Sequence, residues 1–305
     1  MSRIAITGAN GYLGRHLAHY LAEAGHQVYA YDLQQSADPA LPSEVVYRQT
    51  DLCQASALQG IDLEVDYVLH FAGITGTEQG FSDYRRYLDA NELALLQLLD
   101  ALRSRQNPAQ LIFPSTRLVY RGSEAPLSEA AEKQCKTVYA VNKLAAEQYI
   151  QAYANRFGLR YTIFRICVPY GNRFDDSFSY GTIGHFLGRA RRGETIRLFG
   201  DGLLRRTFTH VDHLCAQIAT ALSHPGAIDQ VFNIGGETLS LKQAAQLIAD
   251  RLQVAVEHVP WDSDALRIES GSTVFDSARI EAIVGQDRSY RLQDWVARLS
   301  AGERR

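Results

Sequence analysis

No stretch of this 305-residue chain supplies the roughly 18 consecutive apolar residues of a membrane-crossing helix, so no membrane partner is expected. Strand-like sequence begins at once, and no signal peptide is expected ahead of it. Cysteine is scarce: Cys53, Cys135, Cys167 and Cys215 lie far apart, with no C-x-x-C pair. A disulfide framework is therefore not expected, nor any metal site. Cys167 and Cys215, in apolar surroundings, read as buried free thiols, and the compartment as cytoplasmic. Neither sign of charge dominates. With 31 basic and 34 acidic side chains and a net charge of −3, nothing draws the chain to nucleic acid or an anionic surface. Arg189, Arg191 and Arg192 form one short basic cluster, the pattern of a solvated helix end. Low-complexity tracts and internal repeats are absent. A chain 46% hydrophobic and 21% charged remains, a globular profile with room for one large domain or one and a half.

What is present begins with I-A-I-T-G-A-N-G-Y-L-G at residues 4–14. A short apolar segment runs into Gly8, Gly11 and Gly14, spaced three apart, and an amphipathic run follows. Strand, glycine turn and helix in that order suit a dinucleotide pyrophosphate. Gly8 permits the turn, Gly11 lets a phosphate reach the backbone, and Gly14 lets helix and strand pack closely. The N–H groups at the helix start face the anion. A glycine triplet alone equally suits an ordinary strand–helix turn. A second strand at 27–31 ends on Asp32, 18 residues after the last glycine. An acid there accepts hydrogen bonds from an adenosine ribose and repels a 2′-phosphate, favouring NAD over NADP; taken singly, it is also an acceptable turn residue.

Further strands are expected at 45–48, 66–71, 111–113 and 161–166. Helices are expected at 83–103, with Leu88, Leu95, Leu96, Leu99 and Leu102 on one stripe, and at 138–157. Alternation at this spacing predicts an α/β fold, a doubly wound parallel sheet of Rossmann type. Residues 1–169 form the expected cofactor-binding domain, rejoined by about 206–232, and 170–305 mostly a smaller substrate-binding domain. Residues 171–181 read as an exposed loop, and 240–252 as a capped helix.

The chemistry is carried by Y-A-V-N-K at 139–143. Tyr139 and Lys143, four apart on a helix, share a face. Tyrosine is a poor base at its ordinary pKa of about 10, and a neighbouring cation favours the phenolate. It can then take a proton from an alcohol as hydride leaves to a nicotinamide. A Tyr/Lys pair alone can also sit on a solvated face. Thr116, 23 residues earlier in S-T-R-L-V-Y, adds a hydroxyl at a strand end that could hydrogen-bond the reacting oxygen.

These motifs together resemble the extended short-chain dehydrogenase/reductase superfamily, in particular the NAD-dependent epimerase/dehydratase family acting on nucleotide sugars. T-G-A-N-G-Y-L-G is similar to the family's TGxxGxxG loop, which would place Asn10, Tyr12 and Leu13 with the glycines around the cofactor. Asp51 and Leu52 correspond to its adenine contact, H-F-A-G (Phe71, Ala72, Gly73) to its HxAA segment, and Asn91 to its mid-helix asparagine. S-T-R-L-V-Y is similar to SSxxVYG, R-I-C-V-P-Y-G-N-R at 165–173 to RxxNVYGP, and G-D-G-L-L-R-R-T-F-T-H-V-D at 200–212 to GDGxxxRDFxxVDD. N-I-G-G-E and D-S-A-R match further positions. The resemblance implies catalysis by Thr116, Tyr139 and Lys143, with the latter two also touching NAD. It implies a nucleotide-sugar diphosphate held by Arg206 and, in a looser alignment, Arg267, and it implies a homodimer. The helices at 83–103 and 138–157 would each offer a second apolar stripe for it, with Ala145, Tyr149 and Ala152 on the latter.

The departures discriminate among reactions. Dehydratases of the family carry Asp-Glu after the catalytic threonine, and decarboxylases a Glu at the second of those positions. Here stand Arg117 and Leu118, neither able to exchange a proton near neutral pH. Arg121 and Asn172 replace a usual glycine and proline, and no proline precedes the Tyr/Lys helix. Epimerisation through a transient ketone is the expected reaction. The alternatives are a net NAD-dependent sugar dehydrogenase or ketoreductase, and a cofactor-binding module without catalysis.

Overall fold

The computed structural model describes residues 1–105, 108–175 and 178–300. Its strands and helices follow in chain order as β1 (Arg3–Thr7), α1 (Tyr12–Glu23), β2 (Gln27–Asp32), β3 (Val46–Gln49), β4 (Tyr67–His70), α2 (Gln79–Ser82), α3 (Tyr84–Leu88), α4 (Ala94–Arg103), β5 (Gln110–Thr116), α5 (Val138–Phe157) and β6 (Tyr161–Ile166). After them come β7 (Val168–Tyr170), α6 (Gly181–Arg191), β8 (Ile196–Phe199), β9 (Arg205–His210), α7 (Val211–Leu222), β10 (Gln230–Asn233), β11 (Glu237–Ser240), α8 (Leu241–Leu252), β12 (Val256–Val259), α9 (Ser263–Ile268), α10 (Ala278–Val284) and α11 (Leu292–Arg298).

Two compact units emerge. The first comprises Met1–Val119, Thr137–Arg165 and Ile218–Phe232. Its sheet has seven strands in the order β10-β6-β5-β4-β1-β2-β3, and β1 to β5 run parallel. Strand order reverses between β1 and β4, the switch point where a doubly wound sheet opens a crevice at its carboxyl edge. The strands are apolar because helices cover both faces: Ile4, Ala5 and Ile6 of β1 are wholly buried, as is Ile163 of β6.

The expected continuous helix at 83–103 is interrupted. Asp89–Leu93 is a π-helical turn between α3 and α4. One extra residue in the turn shifts the phase of everything after it. The buried stripe is therefore Ala94, Leu95, Leu98, Leu99 and Leu102, while Leu88 is exposed and Leu96 half-buried. Helix α5 matches the expected 138–157. Thr137 caps it by accepting from the Ala140 N–H at 3.1 Å, and Gly158, in left-handed conformation, ends it.

The second unit comprises Tyr120–Lys136, Ile166–Gln217 and Asn233–Arg305. It holds a three-stranded sheet, β11-β9-β7, and the pair β12-β8. The chain visits it first at Tyr120–Lys136, re-enters it at Ile166, and returns to the first unit within α7. Residues 171–181, expected as an exposed loop, begin buried at Gly171 and Asn172, with Ser179 Oγ accepting from the Gly171 N–H at 3.0 Å. Positions 176 and 177 of that loop lie outside the described residues. Helix α8 carries a full capping box, Ser240 and Gln243 each bonding the other's backbone N–H.

Candidate active site

The loop after β1 is built around two close backbone approaches. Gly8 has φ +72°, and a Cβ there would fall 2.5 Å from the Ala72 nitrogen at the end of β4. A Cβ on Gly14 would fall 2.0 Å from the Gly8 carbonyl oxygen. The Gly8 and Ala9 N–H groups donate to the Tyr31 carbonyl at 2.8 and 3.2 Å, and the Asn10 N–H donates to Asp32 Oδ2 at 2.9 Å. Asp32 thus braces the loop as well as closing β2. Helix α1 starts at Tyr12 with an extended Gly11 before it and no side-chain cap, the arrangement that offers backbone N–H groups to an anion.

Beside this loop lies a cavity of about 550 Å³ within the first unit. Gly8, Asn10, Gly11, Asp32, Asp51, Leu52, Phe71, Ala72 and Gly73, all expected at the cofactor, line it. Leu33, Gln34, Thr50, Cys53, Ile74 and Arg85 also line it and were missed. All but Arg85 stand within two positions of a motif residue, so adjacency was the available signal; for Arg85 there was none. Tyr12, Leu13, Gly14, Asn91, Tyr139 and Lys143, also expected at the cofactor, are not on its wall. Asn91, 4% exposed, turns inward from the π-helical segment and grips the Ile74 backbone, accepting from its N–H at 2.8 Å and donating to its carbonyl at 3.1 Å. It shapes the wall through Ile74.

Helix α5 carries Tyr139 and Lys143, the pair expected to be catalytic. Lys143 Nζ lies 6.0 Å from the Tyr139 ring centroid and 4.4 Å from that of Phe113. It donates to the Pro114 carbonyl at 2.8 Å, tying it to β5 two residues before Thr116. Burial pushes the ammonium down to about 7, against the opposing pull of Glu147. His70, at the end of β4, bonds Thr7 Oγ1 at 2.8 Å. Its imidazole is held neutral, pushed down to about 3 by burial and then by Lys143. Thr116 is buried, its Oγ1 accepting from the Leu118 N–H at 3.3 Å. Arg117 and Leu118 are half-buried in the 3-10 turn that follows. Exposed Arg121 pairs with Glu132 at 3.0 Å.

The two arginines expected at a diphosphate, both in the second unit, differ. Arg206 is 2% exposed and donates to Glu269 Oε1 at 2.7 Å and the Gly271 carbonyl at 2.5 Å. Arg267, on short α9, is exposed and pairs with equally exposed Asp264 at 3.1 Å, a surface pair worth little.

A model of the NAD dependent epimerase/dehydratase family matches residues 4–235. The chain belongs to that family. Among its curated relatives, a GDP-6-deoxy-D-mannose reductase of Pseudomonas aeruginosa is 30% identical, over 97% of this chain and 98% of its own. An uncharacterised UDP-glucose epimerase of Bacillus subtilis is 27% identical over 96% and 95%. Among solved structures, a Thermus thermophilus UDP-glucose 4-epimerase in complex with NAD superposes with TM-score 0.85 at 22% identity, covering 98% of each chain, a likeness that shows the fold. The cofactor of the family is NAD, and the residues present fit it: a glycine cradle that a Cβ would fill, an uncapped helix start, and Asp32 on the cavity wall.

Proposed function

We propose that this family member is an NAD-dependent epimerase of a nucleotide-diphosphate sugar, with Thr116, Tyr139 and Lys143 as its catalytic residues. The observation that carries the reading is the buried Lys143, held to β5 beside Thr116 and one helical turn from Tyr139. NAD, when bound, supplies the reversible hydride acceptance that converts a sugar carbinol to a ketone and back. Tyr139, as phenolate, takes the hydroxyl proton and later returns it, and the Lys143 ammonium stabilises that phenolate. The Thr116 hydroxyl hydrogen-bonds the reacting oxygen. Inversion follows when the keto sugar presents its other face. Arg206 is proposed to meet the diphosphate, a role for which its forked donors suit; Arg267 is the weaker candidate. Neither Arg117 nor Leu118 supplies the acid–base pair of a dehydration.

A homodimer is proposed on helices α2 to α5, where Phe81, Tyr84, Leu88, Leu93 and Val141 are exposed and Tyr149, half-buried, bonds Glu92 at 2.9 Å. A second reading, a net sugar reductase, is favoured by the name of the Pseudomonas relative. Purified protein offered a panel of nucleotide sugars, with products read by NMR, tests both. An inverted sugar without net NADH change supports the epimerase, stoichiometric NADH turnover the reductase, and no turnover on any sugar removes both.

A further inference from the structure

Behind the Tyr/Lys pair sits a buried charge cluster that the reaction as described does not use. Glu147 follows Lys143 by one helical turn and is wholly buried. Its carboxylate is occupied elsewhere. Arg165 of β6, 5% exposed, grips both oxygens, Nε to Oε1 at 3.0 Å and Nη2 to Oε2 at 2.6 Å. Ser115, the residue before Thr116, donates its hydroxyl to Oε1 at 2.5 Å. A forked pair of this kind is close to neutral as a unit. Removing two charges from water is costly, and an apolar pair of the same volume is often no less stable, so packing alone does not account for it.

The groups around Lys143 show what the pair leaves behind. Helix α5 contributes Tyr139 and Glu147, β4 the neutral His70, and β5 the Phe113 ring and the Pro114 carbonyl, with Arg165 of β6 behind Glu147. With Glu147 committed to Arg165 and Ser115, the ammonium has no carboxylate within ion-pair distance among the described residues. We propose that Arg165 and Ser115 act as positioning residues that withhold the Glu147 carboxylate from Lys143, so that the ammonium is left for the Tyr139 phenolate, while the Ser115–Glu147 bond locks the strand carrying Thr116 to the helix carrying Tyr139. The inference rests on the catalytic reading of Tyr139 and Lys143, but its central measurement needs no substrate.

The chain has four lysines, so full-length protein labelled on lysine gives a small set of NMR signals, and Lys143→Met assigns the one of interest. Its titration is followed with saturating NAD and without. Glu147→Gln is expected to move the Lys143 midpoint down and Arg165→Gln to move it up, each by on the order of one pH unit, as loss of a nearby charge does. A merely structural role predicts something else: both variants loosen packing, admit water and move the midpoint up together. Opposite shifts support the proposal, and shifts of the same sign, or none, overturn it. Should either glutamine variant fail to fold, Ser115→Ala remains. It frees one carboxylate oxygen while keeping every charge, and is expected to give a smaller upward move; no move or a downward one overturns the proposal. On any sugar the wild type turns over, Ser115→Ala is expected to lower kcat with KM unchanged. A wild type that turns over nothing yet shows the opposite titration shifts would sink the epimerase reading and leave the cluster's effect on Lys143 standing.

Discussion

Three glycine-to-alanine substitutions separate the two demands made on the loop after β1. Gly8 has both a left-handed backbone, φ +72°, and backbone atoms of Phe71 and Ala72 within 2.7 Å of where a Cβ would stand. Gly14 faces only the steric demand, 2.0 Å from the Gly8 oxygen. Gly25 has φ +82° with nothing within 4 Å, and so faces only the conformational one. A left-handed non-glycine residue costs about 1 kcal/mol or somewhat more, and forcing a methyl into a packed site about 1–3 kcal/mol. Gly25→Ala is therefore expected to cost about 1 kcal/mol and to leave NAD affinity unchanged. Gly14→Ala should cost about 1–3 kcal/mol and, because the loop or the helix start must move, weaken NAD by at least about tenfold, the equivalent of about 1.4 kcal/mol. Gly8→Ala combines both terms, about 2–4 kcal/mol. Denaturant unfolding and calorimetric NAD titration measure these quantities. Gly8→Ala no more destabilising than Gly25→Ala, with NAD binding intact, would refute the claim that the β1 and β4 ends meet without space for a side chain.

Other predictions address the chemistry and the surface. Tyr139→Phe should bind NAD normally and lose about 10²- to 10⁴-fold in turnover, the range of a general acid–base contribution; full turnover would end the mechanism. Asp32→Ala should weaken NAD by about tenfold or more, since a charged acceptor is lost, and narrow the preference over NADP, as competition binding would show. Burial places the folded-state pKa of Lys143 below its unfolded value, so between about pH 7 and 10 the unfolded chain binds the extra proton and stability rises with pH, by at most about 1.4 kcal/mol per unit from this group. Lys143→Met should flatten that rise in unfolding measured across the window, and an unchanged slope would contradict it. Val141→Asp should convert a dimer to monomer by light scattering, and a wild type that is already monomeric would remove the dimer proposal.

Much of the cofactor half was legible because its signals are local. A strand leading into a glycine turn and a helix is fixed by residues within a dozen positions of one another. The acid closing β2 is placed by the parallel pairing of Thr7 with Tyr31. Tyr139 and Lys143 share a face by helical periodicity alone. The second unit was less legible. Its strands are three to six residues long and pair across large sequence separations, Phe208 with both Glu237 and Val168, so no short window contains the pattern. The π-helical turn, one residue out of phase, was invisible to an average period.

The sequence by itself determined the sheet, the glycine cradle and the acid that closes β2, because backbone geometry and side-chain periodicity act over a few residues. Only the tertiary structure decided which partners the buried polar groups take. Asn91 holds Ile74 instead of lining the cavity, Arg206 is clasped by Glu269, and Glu147 belongs to Arg165 and Ser115, residues 18 and 32 positions away. A hint was available, a glutamate four residues past the lysine and an arginine inside the apolar strand Y-T-I-F-R-I. Yet a buried charge only announces that some partner is needed. Which one it finds depends on how strand and helix are brought together, and that is settled in three dimensions.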